Sequence, residues 1–164
     1  MAAALARAGI DAVTTREPGD AAGANEIRNL LLNGAPERWD AITEALLMVA
    51  ARRSHLVETV WPALDDGKWV ICDRFADSTT AYQGYGGGVA LERLVELHRL
   101  IAGDFHPDLT FILDVPVEIG LARAAQRHGG ETRFEEKPGE FHERVRQGFL
   151  EIDVRLHRTR YRPN

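Results

Sequence analysis

A strand-end carboxylate with a second four residues on, a guanidinium, three hydroxyl-bearing side chains of the Ser/Thr type and an amide are crowded into Asp73-Arg74-Phe75-Ala76-Asp77-Ser78-Thr79-Thr80-Ala81-Tyr82-Gln83-Gly84, directly after the apolar run Trp69-Val70-Ile71-Cys72. An aspartate at the end of a strand can hold a magnesium-bound water, and an adjacent arginine can neutralise phosphate oxygens. Ser78, Thr79 and Gln83 have the donors and acceptors to recognise a base or sugar edge. The run therefore reads as a pocket for a phosphorylated, hydrogen-bonding small molecule. The plainer alternative is that Asp73 caps a helix and Arg74 is a surface charge.

Two other groups of arginines could add to such a site. Arg52, in Arg52-Arg53, falls out of step with the apolar residues around it; pattern alone reads the pair as a solvated helix face. Arg123 and Arg127 lie one helical turn apart, and Arg133 follows in a charged, glycine-containing loop. Mobile arginines over a phosphate site can stabilise charge during phosphoryl transfer, although a charged loop is ordinarily only solvated. The six histidines are scattered without metal-ligand spacing, and no G-x-S-x-G or strand-following G-x-G-x-x-G is present.

These residues need a scaffold, and short apolar strands alternating with helices indicate one of α/β class with a parallel sheet. The expected elements are a helix over 2–8 stopped by Gly9, a strand over 11–15 and a helix over 22–32. A long helix is expected from Pro36, striped by Trp39, Ile42, Leu46, Val49, Leu56 and Val60 and ended or bent by Pro62. Next come a strand over 68–72, a helix marked by Leu91, Leu94, Leu97 and Ile101, and a strand over 109–113. Pro116 opens a further helix to about 127, and a last helix carries Phe141, Val145, Phe149, Ile152 and Leu156. In open parallel sheets ligands bind beyond the carboxyl ends of the strands, where Arg16-Glu17, Asp73-Arg74 and Asp114 all fall.

At 164 residues and 45 % hydrophobic, the chain has the size of one domain, read as residues 1–164. A net charge of −5 argues against a nucleic-acid binder. No apolar run spans a membrane, and a single cysteine, Cys72, expected as a buried thiol, fits a reducing compartment; the expected location is the cytoplasm.

In order along the chain, Thr15-Arg16-Glu17-Pro18-Gly19, the 73–84 run, Pro107-Asp108-Leu109-Thr110 through Asp114, and Arg133-Phe134-Glu135 with Phe141-His142-Glu143-Arg144 resemble the bacterial thymidylate kinases. That resemblance implies a P-loop-kinase-like sheet flanked by helices, phosphoryl transfer from Mg-ATP to dTMP, and a homodimer. It places Asp73 and Glu17 near magnesium and the reacting phosphates, the metal being held through Asp73. Arg74 would touch the phosphates, Arg28 would lie near the dTMP phosphate, and Arg52 would bond the thymine. Thr79 and Gln83, with Ser78 beside them, would complete the base and sugar pocket, and Phe149 would close its deoxyribose side. Residues 123–137 would form a lid carrying Arg123, Arg127 and Arg133, with Arg133 reaching the ATP phosphates.

The departures from the family pattern are specific. Met48 stands where a phenylalanine usually stacks on thymine, Asp20 replaces a usual glycine, Gly87 a common arginine and Thr132 a usual aspartate. The chain contains no G-x-x-x-x-G-K-[ST] sequence, the loop that holds ATP phosphates in this fold. The expectation is therefore a thymidylate kinase-like protein lacking the first, P-loop strand and stopping before the last one, with impaired activity. Two alternatives stand beside it: an inactive dTMP-binding paralogue or interaction subunit, and a kinase for another nucleoside monophosphate.

Overall fold

A computed structural model of the chain describes residues 1–126, 132–156 and 159–161. Two parallel strand pairs organise it. β1 (Ala12–Arg16) runs beside β2 (Trp69–Asp73), with Ala12 opposite Trp69 and Arg16 opposite Asp73. β3 (Phe111–Leu113) runs beside β4 (Thr159–Tyr161). The parallel α/β class is as expected, but the two pairs form separate two-stranded sheets rather than one. At the C-terminal end of the described residues β4 pairs along β3, with Phe111 opposite Thr159.

Helices cover these strands. α1 (Ala2–Arg7) leads into β1, and α2 (Ala22–Leu32) follows the turn after it. The long helix α3 (Ala41–His55) starts five residues later than Pro36, which opens only a short 3₁₀ turn, Pro36–Arg38. The cause is Asp40, whose carboxylate accepts from the backbone amides of Ile42 and Thr43 at 2.9 and 3.0 Å and so ends the unpaired first turn. Hydrogen bonds from Thr43, foremost its backbone amide, hold the Asp40 carboxyl below the usual range. Trp39 is left in extended backbone with its indole donating to Leu30 O at 3.0 Å.

Pro62 does not end the helical run. A π turn, Leu56–Val60, widens the hydrogen-bonding pattern so that the proline falls in the first turn of α4 (Trp61–Asp65), where its missing N–H costs nothing. After β2 come α5 (Ala76–Thr79) and a second π turn, Thr80–Gly86; then α6 (Leu91–Ala102), α7 (Val117–Ala125) and α8 (Gly139–Leu156).

The main apolar cluster joins α8 to the second π turn and β3: Ala81, Ile112, Phe141, Val145 and Ile152, with Tyr82, Phe134 and Phe149 packed against them. This close approach depends on two glycines. A Cβ on Gly86 would sit 2.7 Å from a Phe141 ring carbon, and one on Gly148 would sit 2.7–2.9 Å from Tyr85. Gly148→Ala therefore forces α8 away from the turn that carries Gln83, and we expect it to lower stability by about 1–3 kcal/mol in urea denaturation. A wild-type midpoint would show that the contact yields.

Candidate functional site

The carboxyl ends of β1 and β2 lie side by side, so the two turns that follow meet. Glu17 N donates to Asp73 O at 3.0 Å, tying them together. Two non-glycine residues here have left-handed backbone: Asp20 at φ 57° and Arg74 at φ 71°. A short aspartate tolerates this region better than most side chains. For arginine the same conformation is uncommon, and such strain is concentrated at functional positions. The Arg74 guanidinium lies over the Tyr82 ring at 5.1 Å. Burial works against its charge, but the Tyr82 hydroxyl, Asp73 and Glu135 outweigh it and raise its pKa. Arg74 and Tyr82 open onto a cavity of about 230 Å³ that Phe134, Glu135, His142 and Arg146 also line.

Beneath these turns α3 presents a charged face to the interior. Arg52 is only 1 % exposed, which corrects the solvated-face reading of the sequence. Its Nε donates to Glu17 Oε2 at 2.7 Å and its Nη2 to Thr79 Oγ1 at 2.8 Å, while its guanidinium faces the Phe75 ring at 5.0 Å. The other Glu17 oxygen accepts from His55 Nδ1 at 3.0 Å, and His55 Nε2 lies 2.7 Å from Thr15 Oγ1. Glu17 is thus engaged by Arg52 and His55, both buried. Asp73 is exposed at the end of β2. Among the described residues no group of three or more His, Cys, Asp or Glu is arranged to hold a metal ion. One carboxylate still fits magnesium that is carried mainly by substrate phosphates. Arg53, the neighbour of Arg52, donates to Ile101 O at 2.8 Å and covers the Trp61 ring.

The remaining expected residues divide. Ser78, Thr79, Gln83 and Met48 are all buried, Thr79 against Arg52 and Gln83 against Glu44, and Met48 lies one turn from Arg52 on the same face of α3. Arg28 wraps the turn after β1, donating to Pro18 O at 2.7 Å. Phe149 is a core residue edge-on to Tyr82. Arg123 is exposed near the end of α7, and Arg127 lies outside the described residues.

Arg133 departs most from expectation. In place of a mobile lid guanidinium, the structure buries it at 1 % exposure, donating to the carbonyls of Leu31, Ala35 and Pro36 at 3.0–3.1 Å and to Glu44 Oε1 at 2.6 Å. Leu31 is in the last turn of α2, whose carbonyls lack helical partners, while Ala35 and Pro36 belong to the short turn that follows; a five-donor side chain reaches both segments. Lys137 reaches the same Glu44 oxygen at 2.8 Å.

Sequence reasoning missed Glu44 and His55. The available signal was their spacing: Glu44, Met48, Arg52 and His55 fall on one helical face. Cys72 was expected to be a buried thiol and is partly so; burial, then the Glu17 and Asp73 carboxylates, push its pKa far up, so it is held as the thiol. Removing the Glu17 charge strands a buried guanidinium, so Glu17→Gln should lower stability by about 3–5 kcal/mol in chemical denaturation. A loss below about 1 kcal/mol, the range of exposed pairs, would mean that the pair is solvated.

A family model described as thymidylate kinase matches residues 1–159. A thymidylate kinase of Caulobacter vibrioides is 52% identical over 152 residues, which cover 93% of this chain and 73% of that protein. One of Ruegeria pomeroyi is 51% identical over 152 residues, covering 93% and 72%. The crystal structure of thymidylate kinase from Ehrlichia chaffeensis superposes with a TM-score of 0.73 at 36% identity, covering 94% of this chain and 74% of that one. A family match along nearly the full sequence, joined to relatives at half identity and a shared fold, establishes that the chain belongs to the thymidylate kinase family.

Proposed function

We propose that the chain binds dTMP at the Arg52–Thr79–Gln83 face and forms the acceptor side of a site that transfers the ATP γ-phosphoryl group to it. The observation that carries this reading is Arg52: a fully buried guanidinium fixed by Glu17 and bonded to Thr79, inside a family of thymidylate kinases. A fixed guanidinium offers donors to base carbonyls without losing rotamer freedom on binding. Met48 covers the ring face, and Ser78 lines the pocket. Arg74, after β2, and Arg28, which reaches from α2 to the turn after β1, neutralise phosphate oxygens.

Magnesium would be held through Asp73 and the nucleotide phosphates, where it neutralises charge on the transferring group. The protein's part is placement. Arg74 holds the acceptor phosphate at the strand ends, and the closed turn under it keeps Asp73 beside that phosphate. Phosphoryl transfer proceeds by such positioning and charge neutralisation, without a covalent intermediate on the chain. A lid role remains proposed for Arg123 and Arg127; Arg133 serves as the anchor at the lid's base.

Two measurements test this. Calorimetry should show dTMP binding that Arg52→Met weakens about tenfold or more, the size of a lost charged hydrogen bond. Since none of the 164 residues form a G-x-x-x-x-G-K-[ST] sequence, a coupled assay on these residues alone should show little dTMP-dependent ADP formation. Absence of dTMP binding overturns the reading, and tighter binding of dCMP or dUMP favours the kinase for another nucleoside monophosphate. Binding of dTMP with no turnover under any ATP concentration is the behaviour of the inactive paralogue.

We also infer a homodimer through the outer face of α3, where Ile42 and Leu46, one turn apart, are 59% and 51% exposed. Light scattering should give twice the chain mass, and Leu46→Glu should halve it. A monomeric wild type overturns the inference.

A further inference from the structure

Glu44 is a buried carboxylate with no place in the reaction so far described. It sits in the first turn of α3 at 1 % exposure and accepts three charge-assisted or polar hydrogen bonds. Arg133 and Lys137 share its Oε1 at 2.6 and 2.8 Å, and Gln83 Nε2 reaches its Oε2 at 3.1 Å. The last of these bonds settles the orientation of the Gln83 amide. A carboxylate only accepts, so the atom facing Glu44 must be the NH₂. The carbonyl Oε1 is consequently directed away, and it is buried without a hydrogen-bond partner among the described residues. An orphaned buried acceptor is costly and rare, and at a ligand site it marks where a donor belongs.

The surroundings say which donor. Glu44, Met48 and Arg52 follow one another at four-residue spacing along α3, and Thr79 and Gln83 are four apart across the junction of α5 and its π turn. Two bonds link the elements: Glu44 to Gln83 at one end and Arg52 to Thr79 at the other. Met48 stands between these two bonds. Arg52 offers N–H donors, and Thr79 Oγ1, already accepting from Arg52, has its proton to give. The Gln83 carbonyl supplies the acceptor that this donor-rich end lacks. A pyrimidine-2,4-dione presents the matching edge, an N–H between two carbonyls.

We propose that Glu44 is a positioning residue that locks the Gln83 amide with its carbonyl toward the bound base, so that the site selects a ring N–H. This rests on the dTMP reading above. Arg133 and Lys137 hold Glu44 in turn, so the base-reading amide is referenced to residues 133–137.

The test is a double-mutant cycle on the chain with dTMP and dCMP as ligands, since N3 of cytosine carries no hydrogen. In Glu44→Gln the single amide oxygen stays with Arg133 and Lys137, so its NH₂ faces Gln83 and turns that amide over. The expected result is about tenfold weaker dTMP binding, the size of one hydrogen bond replaced by a donor–donor contact, with dCMP binding unchanged or tighter. Gln83→Met, which leaves the Glu44–Arg133 pair intact, should narrow the dTMP-over-dCMP ratio similarly. The double variant should add nothing further, because Glu44 acts through Gln83. Additive losses, or an equal loss for both nucleotides in Glu44→Gln, overturn the proposal.

Side-chain amide NMR of the free chain reads the same lock without a ligand. The Gln83 NH₂ signal, identified by its disappearance in Gln83→Met, should show one downfield proton that Glu44→Gln shifts. If dTMP fails to bind while that shift is seen, the thymidylate reading fails and the lock survives. An unshifted signal overturns the lock whatever binds.

Discussion

The site depends on α3 burying charge on its inward face. Glu44 and Arg52 are each 1 % exposed, and an ionised group in such a place is tolerable only with a partner and filled hydrogen bonds. Each buried carboxylate here has two basic partners: Glu17 faces Arg52 and His55, and Glu44 faces Arg133 and Lys137. These partners come from segments far apart in sequence. Meeting the charge requirement of one helix face therefore brings the turn after β1, the 73–84 run and the segment after α7 into fixed relation. A wholly apolar α3 could pack as tightly but would not set the register of those three segments.

That constraint explains why a parallel scaffold in two separate strand pairs still builds an ordered site. β1 and β2 contribute only five residues each, yet their carboxyl ends are fixed twice, by the Glu17–Asp73 backbone bond and by the Glu17–Arg52 pair. Strain at Arg74 is held there as well: its positive φ lies between a paired strand end and a helix whose Thr79 is bonded to α3. On the other side, the glycines at 86 and 148 let α8 approach closely enough for Phe141 and Val145 to close the core under Tyr82.

Much of this was legible in the residues. The 73–84 run reads as a pocket from its types alone, and the bounds of α2 and β2 follow apolar and glycine punctuation. What was not legible shares one cause. Periodicity assigns apolar residues to the inside, so Ile42 and Leu46 were placed inward and Arg52 outward; the structure reverses both. A buried charge becomes visible only when its distant partner is known, and the partners of Glu44 are 39 to 93 positions away. The same blindness made Arg133 a loop arginine: nothing local shows that the α2 end leaves carbonyls at its reach. Pro36 and Pro62 misled for the opposite reason. Proline marks only a permissible helix start, whereas the Asp40 cap and the π turn decide where the helices begin.

The choice of arginine rather than lysine at 52 and 133 follows from the geometry. Arg52 must bond Glu17 through Nε and Thr79 through Nη2 while stacking on Phe75, which needs a planar group with donors in fixed directions. Arg133 must satisfy several carbonyls and a carboxylate from one point. A lysine ammonium has three donors and no plane, so it could neutralise either carboxylate but could not hold the adjoining segments at set angles. Lys137, whose ammonium neutralises Glu44 and lies over the Phe134 and Phe141 rings, needs no fixed plane and is a lysine, and it approaches Glu44 from the partly exposed side. Position by position, the basic residue type follows how much orientation the site requires, which ties the arginine-rich character of this face to recognition as well as to charge.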